Sequence, residues 1–162
     1  MIQVLNLWLN SCDRLLSSNF GWAQPVRTAL TGPAAPPRLL LIEADEAVAT
    51  ALSRGLRRYG WAVLLASTAE AGLQLQAEWA PHAVLMASSL PDMTVGKLVA
   101  RLAERGGCSI LVLSGHEHDR LRHVVLGRGA HDVMSKPMRA SDIAARLLAV
   151  QRRLGQPAPV PD

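Results

Sequence analysis

Cysteine is scarce in this chain: of 162 residues only Cys12 and Cys108 are cysteines, far apart and outside any CxxC spacing. That excludes a disulfide framework and a cysteine-based zinc site. Cys108 stands at the edge of an apolar run and reads as a small core residue. Only six residues are aromatic, so the interior must be built from Leu, Val, Ala and Ile. Lysine is confined to Lys97 and Lys136, and almost all of the positive charge behind the formal +4 is arginine, spread along the chain. Without a basic run, direct contact with nucleic acid is not expected. No stretch reaches about 18 uninterrupted apolar residues, so no membrane-spanning helix is expected. The N-terminus has neither a basic start nor a continuous apolar core, which argues against a secretory signal and for a cytoplasmic location.

What is present suits one globular domain with tails. Hydrophobic residues make up 49% and charged residues 19%, a balance that can fill a core. Residues 1–37 stand apart. Ile2, Leu5, Leu9, Cys12 and Leu16 recur at helical steps. They read either as a docking or dimerising helix or as a loosely held extension or misassigned start. The stretch Thr31-Gly-Pro-Ala-Ala-Pro-Pro37 forms a linker, because its prolines and glycine prevent regular pairing.

From Arg38 to Leu154, short apolar runs alternate with helical patterns. The runs Leu39–Ile42, Ala62–Leu65, His82–Ala87, Ser109–Leu113 and His131–Met134 predict buried strands. Between them, apolar stripes predict helices: Ala47, Val48, Ala51, Leu52, Leu56 and Tyr59; then Ala69, Leu73 and Ala77; then Val95, Leu98, Val99 and Leu102. Leu121, Val124 and Val125 mark a fourth helix, and Ile143, Leu147, Val150 and Leu154 a fifth. Asp45 and Thr68 are candidate N-caps. Five strands alternating with five helices imply an α/β fold, a parallel sheet covered on both faces and joined by right-handed crossovers. Residues 155–162, rich in proline, read as a tail or the start of a linker.

In such a fold, ligands and chemistry collect at the carboxyl ends of central strands. The third strand, bounded by Pro81 and Pro91, ends on Ala87, which has no functional group. Around it stand Leu-Leu-Leu-Ile-Glu-Ala-Asp-Glu46, Pro81-His-Ala-Val-Leu-Met-Ala87, Leu90-Pro91, Leu113-Ser114-Gly115, Gly129-Ala130 and Lys136-Pro137. In order and spacing these resemble the receiver domain of two-component response regulators. The resemblance implies a flavodoxin-like three-layer sandwich with strand order 2-1-3-4-5.

Receivers of that family accept a phosphoryl group from a histidine kinase on an aspartate ending the third strand, with a divalent cation held by acids. The resemblance places that phosphoacceptor position on Ala87, and the acidic pair on Glu43 and Ala44. Methyl cannot attack phosphorus, and Ser88 lies on the other side of an extended strand. One carboxylate should hold Mg²⁺ poorly, so no cofactor is expected. Asp45 follows directly but also serves as the helix cap. Ser114 and Lys136 match the family's hydroxyl and lysine donors, with Lys136 either facing an anion or pairing with Glu43. The family's aromatic switch position falls on Val133. The chain therefore reads as a pseudo-receiver whose phosphorylation site is vestigial.

His116, His118, His123 and His131 lack a carboxylate or cysteine ligand at fitting spacing and read as ordinary exposed histidines rather than a metal cluster. The family pairs receivers through the fourth helix, fifth strand and fifth helix, and Arg122, Asp132, Asp142 and Arg146 fall where winged-helix regulators carry charges for that contact. Two functions follow as expectations. One is a stand-alone receiver acting by binding a protein partner, including a second copy, with no enzymatic activity. The other is a truncated or degenerate transcriptional response regulator whose winged-helix DNA-binding output domain is absent from this chain. A flavodoxin-like enzyme is disfavoured, since no Gly-rich phosphate loop is present and no nucleophile stands beside a base at any strand end.

Overall fold

The computed structural model describes residues 35–115 and 118–159. The stripe from Ile2 to Leu16, most of the Pro-rich linker, His116 and the last three residues of the tail lie outside the described residues, as does the side chain of His118.

Ten elements alternate strictly: β1 (Arg38–Ile42), α1 (Glu46–Arg58), β2 (Ala62–Ala66), α2 (Ala69–Trp79), β3 (Ala83–Ala87), α3 (Val95–Arg105), β4 (Ser109–Ser114), α4 (His118–Leu126), β5 (Asp132–Ser135) and α5 (Ala140–Leu154). The strands form one parallel sheet in the order β2-β1-β3-β4-β5. This is the flavodoxin-like arrangement.

Side chains alternate across the pleat and so build two cores. Leu40, Ile42, Val84, Met86, Ile110 and Val112 face one side, where α2, α3 and α4 cover them. Leu39, Leu41, Ala83, Leu85, Leu111 and Leu113 face the other, against α1 and α5. All five residues of β3 are buried, as its uninterrupted apolar run requires.

The helices meet the sheet with faces that differ in part from the predicted stripes. On α1 the buried residues are Ala49, Ser53 and Leu56, while Ala47 and Ala51 are exposed and Tyr59 is 48% exposed. On α2 the inward position after Leu73 is Gln76 rather than Ala77. Gln76 is accepted there because its Nε2 donates to the Leu102 carbonyl at 3.1 Å. Val124 on α4 and Leu154 on α5 face outward, leaving Leu121, Val125, Ile143, Leu147 and Val150 to pack. All four predicted positions of α3 are buried. β4 runs one residue further than its apolar run, to Ser114, and β5 starts one residue later than predicted, at Asp132.

Candidate functional site

The strand order sets β1, β3, β4 and β5 side by side, so their carboxyl ends converge. Glu43 follows β1, and its backbone is tied to the sheet by an N–H donated to the Ala66 carbonyl at 3.0 Å. Ala87 ends β3 in register with Leu113, and Ser88 N donates to the Leu113 carbonyl at 2.9 Å. Ser114 ends β4, and Lys136 N donates to its carbonyl at 2.7 Å, which fixes the lysine at the end of β5. The Lys136–Pro137 peptide bond is cis.

Charge at these ends is already paired. Lys136 Nζ lies 2.8 Å from Glu43 Oε2, and the Glu43 side chain is only 5% exposed. Glu43 Oε1 accepts from Asp45 N at 3.2 Å. In the sheet β1 and β5 are separated by three strand spacings, about 14 Å at about 4.8 Å each. The Lys136–Glu43 pair therefore spans the carboxyl ends of β3 and β4. Ala87 is buried and Ala44 exposed. Asp45 acts as the predicted cap, its Oδ1 accepting from Ala47 N at 2.9 Å and Val48 N at 3.0 Å. Of the predicted donor pair, Lys136 thus faces an acid, while Ser114 Oγ, fully buried, reaches the Met134 carbonyl at 3.4 Å. Val133 is buried in the α2–α3–α4 core.

The charged residues of the α4–β5–α5 face divide in two. Asp132 is 8% exposed; its Oδ1 accepts from Val133 N at 2.9 Å, and Arg146 Nε stands 3.2 Å from its Oδ2. Arg122 and Asp142 are exposed on α4 and α5, with Arg122 Nη1 3.4 Å from the Val133 carbonyl. No group of three or more acids, histidines or cysteines with metal-holding proximity occurs among the described residues.

Three residues with defined work carried no local signal in the sequence. Asp92, in the β3–α3 loop, caps α2 across the chain: Oδ1 accepts from Ala69 N and Oδ2 from Glu70 N, both at 2.9 Å. Those amides hold its carboxyl below the usual carboxylate range. His82 Nδ1 accepts from Arg38 N at 2.9 Å, and His131 Nδ1 from Ile110 N at 3.0 Å, so each ring completes the hydrogen bonding of a neighbouring strand. Both imidazoles titrate below their usual value, chiefly through burial and secondarily through Arg38 and Arg153 respectively. His131 is exposed, as read from the sequence, and in addition accepts this backbone N–H.

Comparison with known proteins agrees with this arrangement. The family profile "Response regulator receiver domain" matches residues 39–148. The transcriptional regulatory protein AfsQ1 of Streptomyces coelicolor is 35% identical over 117 residues, covering 72% of this chain and 52% of that protein. The response regulator MprA of Mycolicibacterium vanbaalenii is 32% identical over 119 residues, 73% of this chain and 52% of that protein. The chain thus spans about half the length of these curated relatives. A receiver-domain structure from Clostridium thermocellum matches in fold with a TM-score of 0.70 at 19% identity, over 74% of this chain and 97% of that one. The converging strand ends, the order β2-β1-β3-β4-β5 and these matches together show that the chain belongs to the response regulator receiver domain family, signalling modules of two-component systems.

Proposed function

We propose that this receiver signals through protein–protein contact and without phosphorylation at the end of β3. The observation that carries the reading is Ala87: a buried methyl stands where phosphoryl transfer needs an attacking carboxylate. The neighbouring groups support it. Glu43 is engaged by Lys136 and by Asp45 N, Asp45 by the first amides of α1, and Ala44 has no side-chain oxygen. Mg²⁺ binding is accordingly weak, because this ion demands compact octahedral oxygen ligation and sheds water reluctantly. Glu43, Ala44, Asp45, Ala87, Ser114 and Lys136 form a vestigial site that keeps its structural pairs and takes no part in catalysis.

The contact surface is the α4–β5–α5 face, and the partner is a protein, with a second copy of the chain fitting the charges of Arg122, Asp142 and Arg146. Asp132, paired within its own protomer, orients Arg146. Such pairs set register more than affinity. Residues 38–154 form the cytoplasmic signalling unit, with 1–37 as extension and linker and 155–162 as tail. Incubation with a small phosphodonor and Mg²⁺, followed by intact-mass measurement, tests the reading. An unchanged mass is expected. A stable gain of about 80 Da, one phosphoryl group, would overturn it, and Ser114→Ala and His116→Ala would show where the group sits.

A second reading rests on length. AfsQ1 is by name a transcriptional regulatory protein, and this chain matches about half of it. The same receiver would then belong to a regulator whose winged-helix output domain lies outside these 162 residues. A winged-helix reading frame downstream of the Asp162 codon favours this reading; unrelated sequence there removes it.

A further inference from the structure

We infer that Arg57 guards the open edge of the sheet at β2 and keeps a second copy of the chain from adding its own β2 there. The sheet ends on β2. Ala62 N donates to the Pro37 carbonyl and Glu43 N to the Ala66 carbonyl, both at 3.0 Å, so Ala62, Leu64 and Ala66 turn their backbone groups towards β1. By the alternation of a parallel ladder, the N–H and C=O groups of Val63 and Leu65 point the other way, along the open edge. Such a row is a template for another strand. Here the strand is also wholly apolar, Ala62-Val-Leu-Leu-Ala66, with Leu65 39% exposed. A second β2 suits it, because antiparallel pairing about a two-fold axis sets the same five residues against themselves.

Arg57 occupies this edge. It stands in the last turn of α1, and its Nη2 donates to the Val63 carbonyl at 2.8 Å. That removes one of the acceptors an incoming strand would use. The guanidinium pairs with no acid among the described residues, so its charge stays at the edge. Arg54 and Arg58, exposed on the same helix, add to it. Two β2 edges brought together would have to strip both copies of Arg57 from their carbonyls and crowd like charges. Charged side chains on edge strands oppose pairing in this way. A basic last turn also suits the negative end of a helix. Arg58 supplies that charge too, whereas the bond to Val63 is made by Arg57.

Hydrogen exchange at the Leu65 amide, read by NMR on the full chain from micromolar to millimolar concentration alongside the sedimentation mass, tests this. β5 forms the opposite edge, so pairing through α4, β5 and α5 leaves this amide unmoved. The wild type should exchange rapidly at every concentration. Arg57→Ala, a change at an exposed position, should show exchange slowed about tenfold or more as concentration rises, with a mass above that of the wild type at equal concentration. Adding Leu65→Lys, which places a charge on the edge at a partly exposed position, should return both readings to wild-type values. Unchanged exchange and mass in Arg57→Ala would overturn the proposal, as would association that Leu65→Lys leaves in place. So would a wild-type Leu65 amide that becomes protected as concentration rises, since the edge would then pair despite Arg57.

Discussion

At the scale of single residues, the Lys136–Glu43 pair is the interaction that ties the carboxyl end of β1 to that of β5. The lysine ammonium pairs with Glu43 across the strand ends, 2.8 Å away. Lys136→Met should therefore leave a buried carboxylate that keeps the Asp45 N–H as a donor but has lost its counter-charge. The expected loss in urea unfolding is about 1–3 kcal/mol. It stays below the cost of breaking a fully buried pair because the Lys136 side chain is 36% exposed and partly screened. Unchanged stability would show that the pair contributes nothing. The positions of Glu43, Ala87 and Lys136 were legible because apolar runs punctuated by Pro81, Pro91 and Pro137 mark the strand ends. Asp92 was not, since the amides it caps lie 22 and 23 residues earlier and only the folded chain brings them together. His82 and His131 were opaque for the same reason, with partners 44 and 21 residues away.

At the scale of elements, existence and order could be read from the chain, but the buried faces of alanine-rich helices could not. On α1, Ala47, Ala49 and Ala51 are alike in hydrophobicity, so composition alone does not say which meets the sheet; packing selects Ala49 with Ser53 and Leu56. On α3 the stripe of large residues is unambiguous, and reading and structure agree. Two variants probe how the elements are held. Asp45→Ala removes the side chain that satisfies two first-turn amides of α1 and should cost about 1 kcal/mol in chemical denaturation; no loss would mean that water replaces the cap fully. Gly72 lets α2 lie directly on β1, since a Cβ there would collide with Ile42 Cδ1. Gly72→Ala, although favourable to an isolated helix, should destabilise the protein by about 1–3 kcal/mol through overpacking. A gain in melting temperature would contradict that contact.

At the scale of the whole molecule, stability should respond to mild acid. His82 and His131 each accept a backbone N–H through Nδ1, and the fold holds both imidazoles below their usual value of 6.5. The unfolded chain then binds more protons than the folded one once the pH falls below about 6.5, so stability is full above that value and declines beneath it. Melting temperature should fall from pH 7.5 to pH 5.5, and His82→Asn with His131→Asn, which keeps a non-titrating acceptor at each site, should flatten the dependence. An identical slope in the double variant would assign it elsewhere. The central claim is that phosphoryl chemistry was lost as a connected set at the converging strand ends rather than at one position. Intact mass after treatment with a small phosphodonor, with and without Mg²⁺, tests it on Ala87→Asp and on Ala44→Asp with Ala87→Asp. Little or no phosphorylation is expected for the single variant and a Mg²⁺-dependent gain of about 80 Da for the double; efficient Mg²⁺-dependent phosphorylation of Ala87→Asp alone would contradict it.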